Sequence, residues 1–293
     1  MSRFSIFTVS LLIFVVAAAA HADNQQKSFL WQVKSDSTTV YILGSIHVAN
    51  KNIYPLNDVI ETAFATSDKL VVEINENKVD PQKMSDIIRS QGMYSGTDSI
   101  VSHIDTKLFT ALKAFLKSNN IPENDLLQYK PGMLAIKLST IHALNLGFSP
   151  EYGIDKHFIN RATNTKPILE LETLEEQLSL LINIPHESLM LEYTLTNLSQ
   201  MHEQFNKLIA AWTLGDINTI ETISLTEPLE QYPKLAPIFD KLLFERNAKM
   251  AQKIQQYLKT DNIYFVVVGA GHLVGKRSII ELLKADHNMI QQL

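Results

Sequence analysis

Tyr41-Ile-Leu-Gly44-Ser-Ile-His47-Val-Ala-Asn50 is the stretch around which this chain of 293 residues is organised. Val40, Tyr41 and Ile42 favour a strand, Leu43 leads into Gly44, and His47 follows three positions later. The device recurs toward the other end, where Phe265-Val-Val-Val268 runs into Gly269-Ala-Gly-His272-Leu-Val-Gly275. Each copy reads as a buried strand that stops at a glycine, with an imidazole just past its carboxyl end. Open α/β sheets bind ligands outside those ends. Two such ends, more than two hundred residues apart, are therefore expected to aim two histidines into one cleft.

Working outward, Phe29 to Val33 and Thr38 to Leu43 make a hairpin across the polar turn Lys34-Ser-Asp-Ser37. A helix is expected over 57–67, followed by the apolar run Lys69-Leu-Val-Val-Glu73-Ile-Asn75 with one carboxylate near its end. Strand, helix and strand in under forty residues make a βαβ unit and imply parallel pairing. From Pro81 to Leu146 the pattern is helical, with Asp105 as an N-cap and Gly147 as a stop, and Gly153-Ile-Asp155 opens a further helix to Ala162. Pro167-Ile-Leu-Glu170-Leu-Glu172 reads as another strand, whose alternation would point Ile168, Glu170 and Glu172 to one side. A Leu-rich helical stretch over 174–212 is interrupted at Ile184-Pro185 and stopped at Gly215-Asp216. Another helix is expected over 237–258, and a last strand and a helix over 278–284 close the chain. The expected fold is mixed α/β: one domain over 23–293, its central, largely parallel sheet built from both chain ends. A large helical insertion would occupy about 81–165 and 174–260.

Composition narrows the function. The chain is 45% apolar and 19% charged, which is globular, and its formal net charge of −5 is spread without a basic stripe, which argues against nucleic acid. It has no cysteine, so disulfides, thiolate metal sites and a cysteine nucleophile are excluded. Arg3, the apolar run Phe4 to Val16 and the small-x-small pattern Ala20-His-Ala22 read as a signal peptide over 1–22. The mature protein is thus expected to be exported, periplasmic or secreted. Membrane association would follow only from an uncleaved leader, whose core is short for a span of roughly 20 residues.

The strand ends supply His47, Glu73, Glu170 or Glu172, and His272. Imidazole with carboxylate is the usual donor set for Zn, Mn, Fe or Co where thiolates are absent, and three such ligands would leave room for an activated water. A single histidine after a strand is by default a loop residue; a matched pair shifts that balance. Glu73 gains weight because a charge in an apolar strand is seldom left without a partner. Gly44, Gly269 and Gly271 would let the backbone turn sharply or approach a ligand closely. Arg246 reads by pattern as a helix-surface arginine, with a carboxylate or oxyanion clamp as the other reading. His142 reads as a hydrogen-bonded core residue, His103, His186 and His287 as surface, and His157 as ambiguous. His202-Glu203 and His186-Glu187 lack the second zincin histidine, having Asn206 and Met190 there. No G-x-S-x-G elbow occurs, and Gly269-x-Gly271 lies too near the end of the chain for a dinucleotide fold.

These residues resemble the TraB/PrgY/GumN family, which includes the Tiki metalloproteases. The likeness runs through both G-x-x-H turns, Leu70-Val-Val-Glu73, Gly153-Ile-Asp155, Leu169-Glu-Leu-Glu172-Thr-x-Glu-Glu-Gln177, Trp212 with Gly215-Asp216, and Glu245-Arg246-Asn247. The resemblance implies a fold similar to the erythromycin-esterase and heme-binding ChaN-like group. It implies an active centre of His47, His272 and Glu73, with Arg246 as companion. For Tiki-type members it implies peptide cleavage dependent on a divalent cation such as Mn, Co or Zn. The expected function is accordingly an exported metal-dependent hydrolase of peptide or protein substrates. His47, Glu73 and His272 would hold the metal and Arg246 would stabilise the oxyanion. The alternatives are a metal-free histidine-based esterase, or a non-catalytic peptide- or heme-binding protein on the same fold.

Overall fold

The computed structural model describes residues 27–123, 126–286 and 288–293. The expected leader and His287 lie outside the described residues. The strands are β1 (Leu30–Lys34), β2 (Thr39–Ser45), β3 (Lys69–Val72), β4 (Ile168–Glu170), β5 (Tyr264–Gly269) and β6 (Met289–Gln292). They form one sheet in the order β4-β3-β5-β2-β1-β6. β4, β3, β5 and β2 are mutually parallel, while β1 pairs antiparallel with β2 and β6. The architecture is thus the mixed α/β fold, with a mostly parallel sheet, expected from the sequence.

β5 occupies the centre because its Val-rich run can be buried on both faces, and all six of its residues are buried. Its register fixes the functional geometry. Gly44 stands opposite Val268 and Ser45 opposite Gly269 on one side, and Val72 stands opposite Val267 on the other. Three parallel strands therefore stop nearly level with one another. β6 was not anticipated. It is an edge strand, with Met289 and Gln291 exposed, and its short polar sequence carries no apolar alternation to announce it.

Thirteen α-helices are described: α1 (Asp58–Thr66), α2 (Pro81–Gln91), α3 (Thr106–Ser118), α4 (Pro131–Asn145) and α5 (Ile154–Ala162) precede β4. Between β4 and β5 come α6 (Leu174–Ile182), α7 (Glu187–Asn197), α8 (Met201–Thr213), α9 (Ile217–Glu221), α10 (Glu227–Gln231), α11 (Ala236–Phe239) and α12 (Glu245–Tyr257). α13 (Ile279–Ala285) follows β5. Local chemistry explains the starts that matter here. Asp105 accepts from Leu108 N at the head of α3, and Thr173 with Glu176 forms a capping box that opens α6. The stretch over 174–212 breaks at Ile184-Pro185 as expected and again at a 3₁₀ turn, Leu198–Gln200. The helix expected over 237–258 is α11 and α12 joined by a π-helical turn, Asp240–Phe244.

The sheet anchors the main core. Phe265 of β5 packs its ring 4.8 Å from Phe158 of α5 and 5.5 Å from Phe64 of α1. Burying side chains of this size contributes about 1.5–3 kcal/mol each. Trp212 of α8 donates its indole N–H to Gly44 O at 2.5 Å, which ties a helix to the first histidine turn. A second cluster, with Leu108, Leu112, Leu134, Leu138 and Leu191, gives α3, α4 and α7 an apolar core of their own. Among the described residues no helix is long and apolar enough to cross a membrane.

Candidate active site

Three strand ends lie side by side, and each delivers one group. Glu73 directly follows β3, His47 lies two residues past β2, and His272 sits in the 3₁₀ turn Ala270–Leu273 after β5. Because β5 runs between β3 and β2, the carboxylate and the two imidazoles meet at the carboxyl edge of the sheet. β4 adds a fourth contribution. Glu172 lies just beyond it, and its N–H donates to Glu73 O at 3.0 Å.

His47 is solvent-accessible, with 56% of its side chain exposed. Its Nδ1 donates to Asp155 Oδ2 at 2.7 Å, and Ser45 Oγ donates to the other oxygen of that carboxylate at 2.9 Å. Asp155 stands in the first turn of α5, and Ile154 N donates to Ile46 O at 3.1 Å, which latches helix to loop. The Asp155 carboxylate, with its hydrogen bond, raises the imidazole from 6.5 to about 10. His47 is therefore protonated at neutral pH unless a cation displaces that proton.

His272 is the opposite case. It is buried, and its Nδ1 donates to Asn247 Oδ1 at 2.5 Å. The amide is oriented by its own Nδ2, which donates to Arg277 O at 2.8 Å. Burial drives this imidazole down to about 4, so it is neutral and its Nε2 is free to accept. That Nε2 lies 3.7 Å from Glu73 Oε1. For Glu73 burial alone would favour the neutral acid, but the two imidazoles, Arg246 and the Gly269 N–H hold it at about 2.

Arg246 is not on the surface, which corrects the reading from its pattern. It is 9% exposed and clamps both acids. Nη2 donates to Glu73 Oε2 at 2.5 Å and to Glu172 Oε2 at 2.6 Å, Nε donates to Glu172 Oε1 at 2.8 Å, and Nη1 donates to Leu242 O at 2.9 Å. With most of its N–H groups committed to the protein, Arg246 acts by positioning Glu73 rather than as an open oxyanion donor. A sequence signal existed. Arg246 precedes buried Met250 and Ile254 at i+4 and i+8, on the inward face of α12.

The two other acids separate. Glu172 is buried in the cluster, whereas Glu170 is exposed and accepts from Asn75 N at 2.8 Å. The strand ends at Glu170, so its alternation does not carry through to Glu172. Gln177, in the first turns of α6, donates to Glu73 Oε2 at 3.3 Å. Gln177, Asp155 and Asn247 were not among the expected site residues. His157 packs on Tyr54 and Phe158, and His103 pairs with Asp98. His142 is half-buried with its ring near Phe115 and makes no side-chain hydrogen bond among the described residues, unlike the expected core histidine.

Gly269 has a specific steric reason. A β-carbon there would stand 2.9 Å from His47 Nε2, 3.4 Å from Glu73 Oε1 and 3.5 Å from His272 Cδ2. The missing side chain thus leaves a cradle onto which all three groups converge. At Gly44 a β-carbon would collide with the Phe29 ring. Neither glycine, nor Gly271, has a left-handed backbone; close approach rather than a sharp turn explains Gly44 and Gly269, while a β-carbon on Gly271 would meet only ordinary contacts.

Two adjoining cavities open on this cradle. One, about 500 Å³, is mostly apolar and lies along α7, α8 and the π-helical turn. The other, about 600 Å³, is lined by Glu73, Glu76, Asp155 and Gln177 together with apolar residues of α2 and α6. His47, Leu181 and Arg246 line both, so the lobes meet at the reactive groups.

The donor set suits a borderline divalent cation in one respect. Each imidazole is oriented through Nδ1 by an acceptor, as metal-bound histidines nearly always are, and both rings reach the Gly269 cradle. In another respect it is not a closed cage. Glu73 is engaged by Arg246, Gln177 and Gly269 N, and among the described residues no group of three or more acidic or histidine side chains is spaced to hold a metal.

The model of the TraB/PrgY/gumN family matches residues 29–291. The uncharacterized protein YbaP of Escherichia coli K12 is 24% identical over 246 residues, covering 83% of this chain and 87% of YbaP. A metalloprotease TIKI homolog of Nematostella vectensis is 24% identical over 312 residues, covering 88% of this chain and 65% of that protein. One from Amphimedon queenslandica is 21% identical, covering 97% and 66% respectively. No solved structure matches.

Proposed function

The chain belongs to the TraB/PrgY/gumN family, and from that premise we propose that it is an exported, divalent-metal-dependent hydrolase of peptides or proteins. One observation carries the reading: two imidazoles on neighbouring parallel strands, each oriented through Nδ1, converge with an ionised glutamate on the Gly269 cradle. The similarity to proteins named metalloprotease TIKI homologs supports the peptidase class.

On this reading His47, His272 and Glu73 are the residues that would hold the cation. When bound, it would polarise a scissile carbonyl and acidify a water. The protein's own contributions follow from the geometry. Asp155 and Asn247 keep the protons on Nδ1 and so direct the Nε2 lone pairs to the cleft. Arg246 and the Gly269 N–H keep Glu73 ionised and fixed. The leader read over 1–22 supports export.

The His47–Asp155 pair also supports a second reading, a metal-free esterase in which His47 is the base and Asp155 its orienting group. That enzyme would be held back at neutral pH, because Asp155 keeps His47 protonated up to about 10. Its rate would climb with pH and survive chelation. The test is elemental analysis of unchelated protein coupled to a peptide-library cleavage screen, with His47→Ala and His272→Ala alongside. Metal bound by the wild type and lost with cleavage in both variants is expected; equal metal content and unchanged cleavage reject the proposal.

A further inference from the structure

We infer that the apolar lobe is the subsite for a bulky apolar side chain beside the scissile bond, and that Leu208 and Leu243 determine this specificity. The inference rests on the hydrolase reading above and names its substrate: a peptide extended on both sides of the cleaved bond, with a large apolar residue on the side facing α8 and the π-helical turn.

The lobe is walled by side chains that the protein's own packing leaves half-covered. Leu181, Met190, Phe205, Leu208, Leu242 and Leu243 all line it and all are only partly buried. So much apolar surface facing a single cavity marks a binding surface rather than a scatter of exposed residues. A volume of about 500 Å³ lies within the range of small-ligand sites. The lobe shares His47 and Arg246 with its neighbour, so a group seated in it lies next to the reacting bond.

The continuation through the waist separates a peptide from a fatty ester. An acyl chain with a small leaving group would fill the apolar lobe alone. Here a second lobe of about 600 Å³, carrying Glu76 and Gln177, continues past His47. A substrate that uses both lobes has chain on each side of the bond, apolar on one side and of mixed character, meeting both carboxylates and apolar walls, on the other.

Leu243 and Leu208 stand at telling points. The Leu243 methyl carbons lie 3.7 and 3.9 Å from where a β-carbon on Gly271 would be, so this side chain sits over the second G-x-x-H turn. Its neighbour Leu242 gives its carbonyl to Arg246 Nη1 at 2.9 Å. The π-helical turn thus presents Leu243 to the lobe while anchoring the arginine that fixes Glu73, and π-turns of this kind often mark functional positions. Leu208 faces the same lobe from α8.

The experiment is a cleavage screen of the full-length protein against peptides varied on both sides of the scissile bond. Leu, Met or Phe on one side should be preferred over Asp or Lys by tenfold or more in kcat/KM, since a single methylene in an apolar pocket is worth about 10–200-fold. Leu243→Ala should move that preference toward larger aromatics, and Leu208→Gln should flatten it, with Tm recorded for each. In parallel, a fluorescently labelled apolar peptide is titrated into chelated protein, where Leu208→Gln should weaken binding about tenfold. Cleavage without any apolar preference overturns the inference and leaves the hydrolase reading standing. Apolar binding without cleavage removes the hydrolase reading and leaves the subsite. Faster turnover of p-nitrophenyl fatty esters than of peptides with matched apolar length overturns the assignment to a peptide.

Discussion

Asp155 accepts the Nδ1–H of His47 at 2.7 Å across 108 residues of chain. The twin histidine, His272, faces the amide oxygen of Asn247 instead. Two near-identical sequence turns are thereby made electrostatically unlike: one imidazole holds a proton, and the other refuses it.

Replacing Asp155 by Asn should bring the His47 titration, followed by NMR of the imidazole, down from about 10 toward 6.5. Loss of an outer partner of this kind typically costs about 10–100-fold in metal affinity or activity. An unchanged His47 titration would show that the carboxylate does not govern it.

Gly269→Ala should abolish cleavage while leaving Tm nearly intact. The new methyl group would stand 2.9 Å from His47 Nε2, a side-chain atom that can swing away, and the backbone there is not left-handed. A variant with wild-type kcat/KM would mean the cradle is not where reaction occurs.

Arg246→Ala leaves Glu73 and Glu172 buried without their cation. Breaking a buried pair from one side costs about 3–5 kcal/mol, to be read from urea denaturation. Arg246→Lys should recover only part of this, because an ammonium cannot reproduce the forked contacts to both carboxylates. Full recovery by Lys would show that charge alone matters.

Acid should loosen the fold in two stages. The His272 imidazole is held at about 4 in the native state against 6.5 when unfolded, so the unfolded chain gains that proton first. Stability from this group is complete above about pH 6.5 and lost as pH falls toward 4. Glu73, held at about 2 against 4.5, extends the loss below pH 4.5. In chelated protein the stability of wild type relative to His272→Gln should therefore decline between pH 6.5 and 4; a constant difference across that window would contradict this account.

The legible parts of the molecule were those written in local pattern. β2 and β5 each show an apolar run that stops at a glycine, and the strand–helix–strand run leading to Glu73 follows from spacing, but its two strands are parallel without pairing, because β5 lies between them. Asp155 and Asn247 were not legible, because their roles depend on how α5 and α12 approach strand ends that lie far away in sequence. Arg246 was misread for a related reason: α12 is polar overall, and the clue was the narrow stripe of Met250 and Ile254 beneath it. β6 escaped notice because an edge strand paired on one side only requires little apolar content.

The central position of β5 has a consequence for biosynthesis. Among the strands that carry the site it is translated last, yet β2 and β3 meet only through it. A growing polypeptide on the ribosome holds His47 and Glu73 long before there is a partner to draw them together. The hydrolase proposed here would lack its assembled site until β5, made last of the three, lies between the other two.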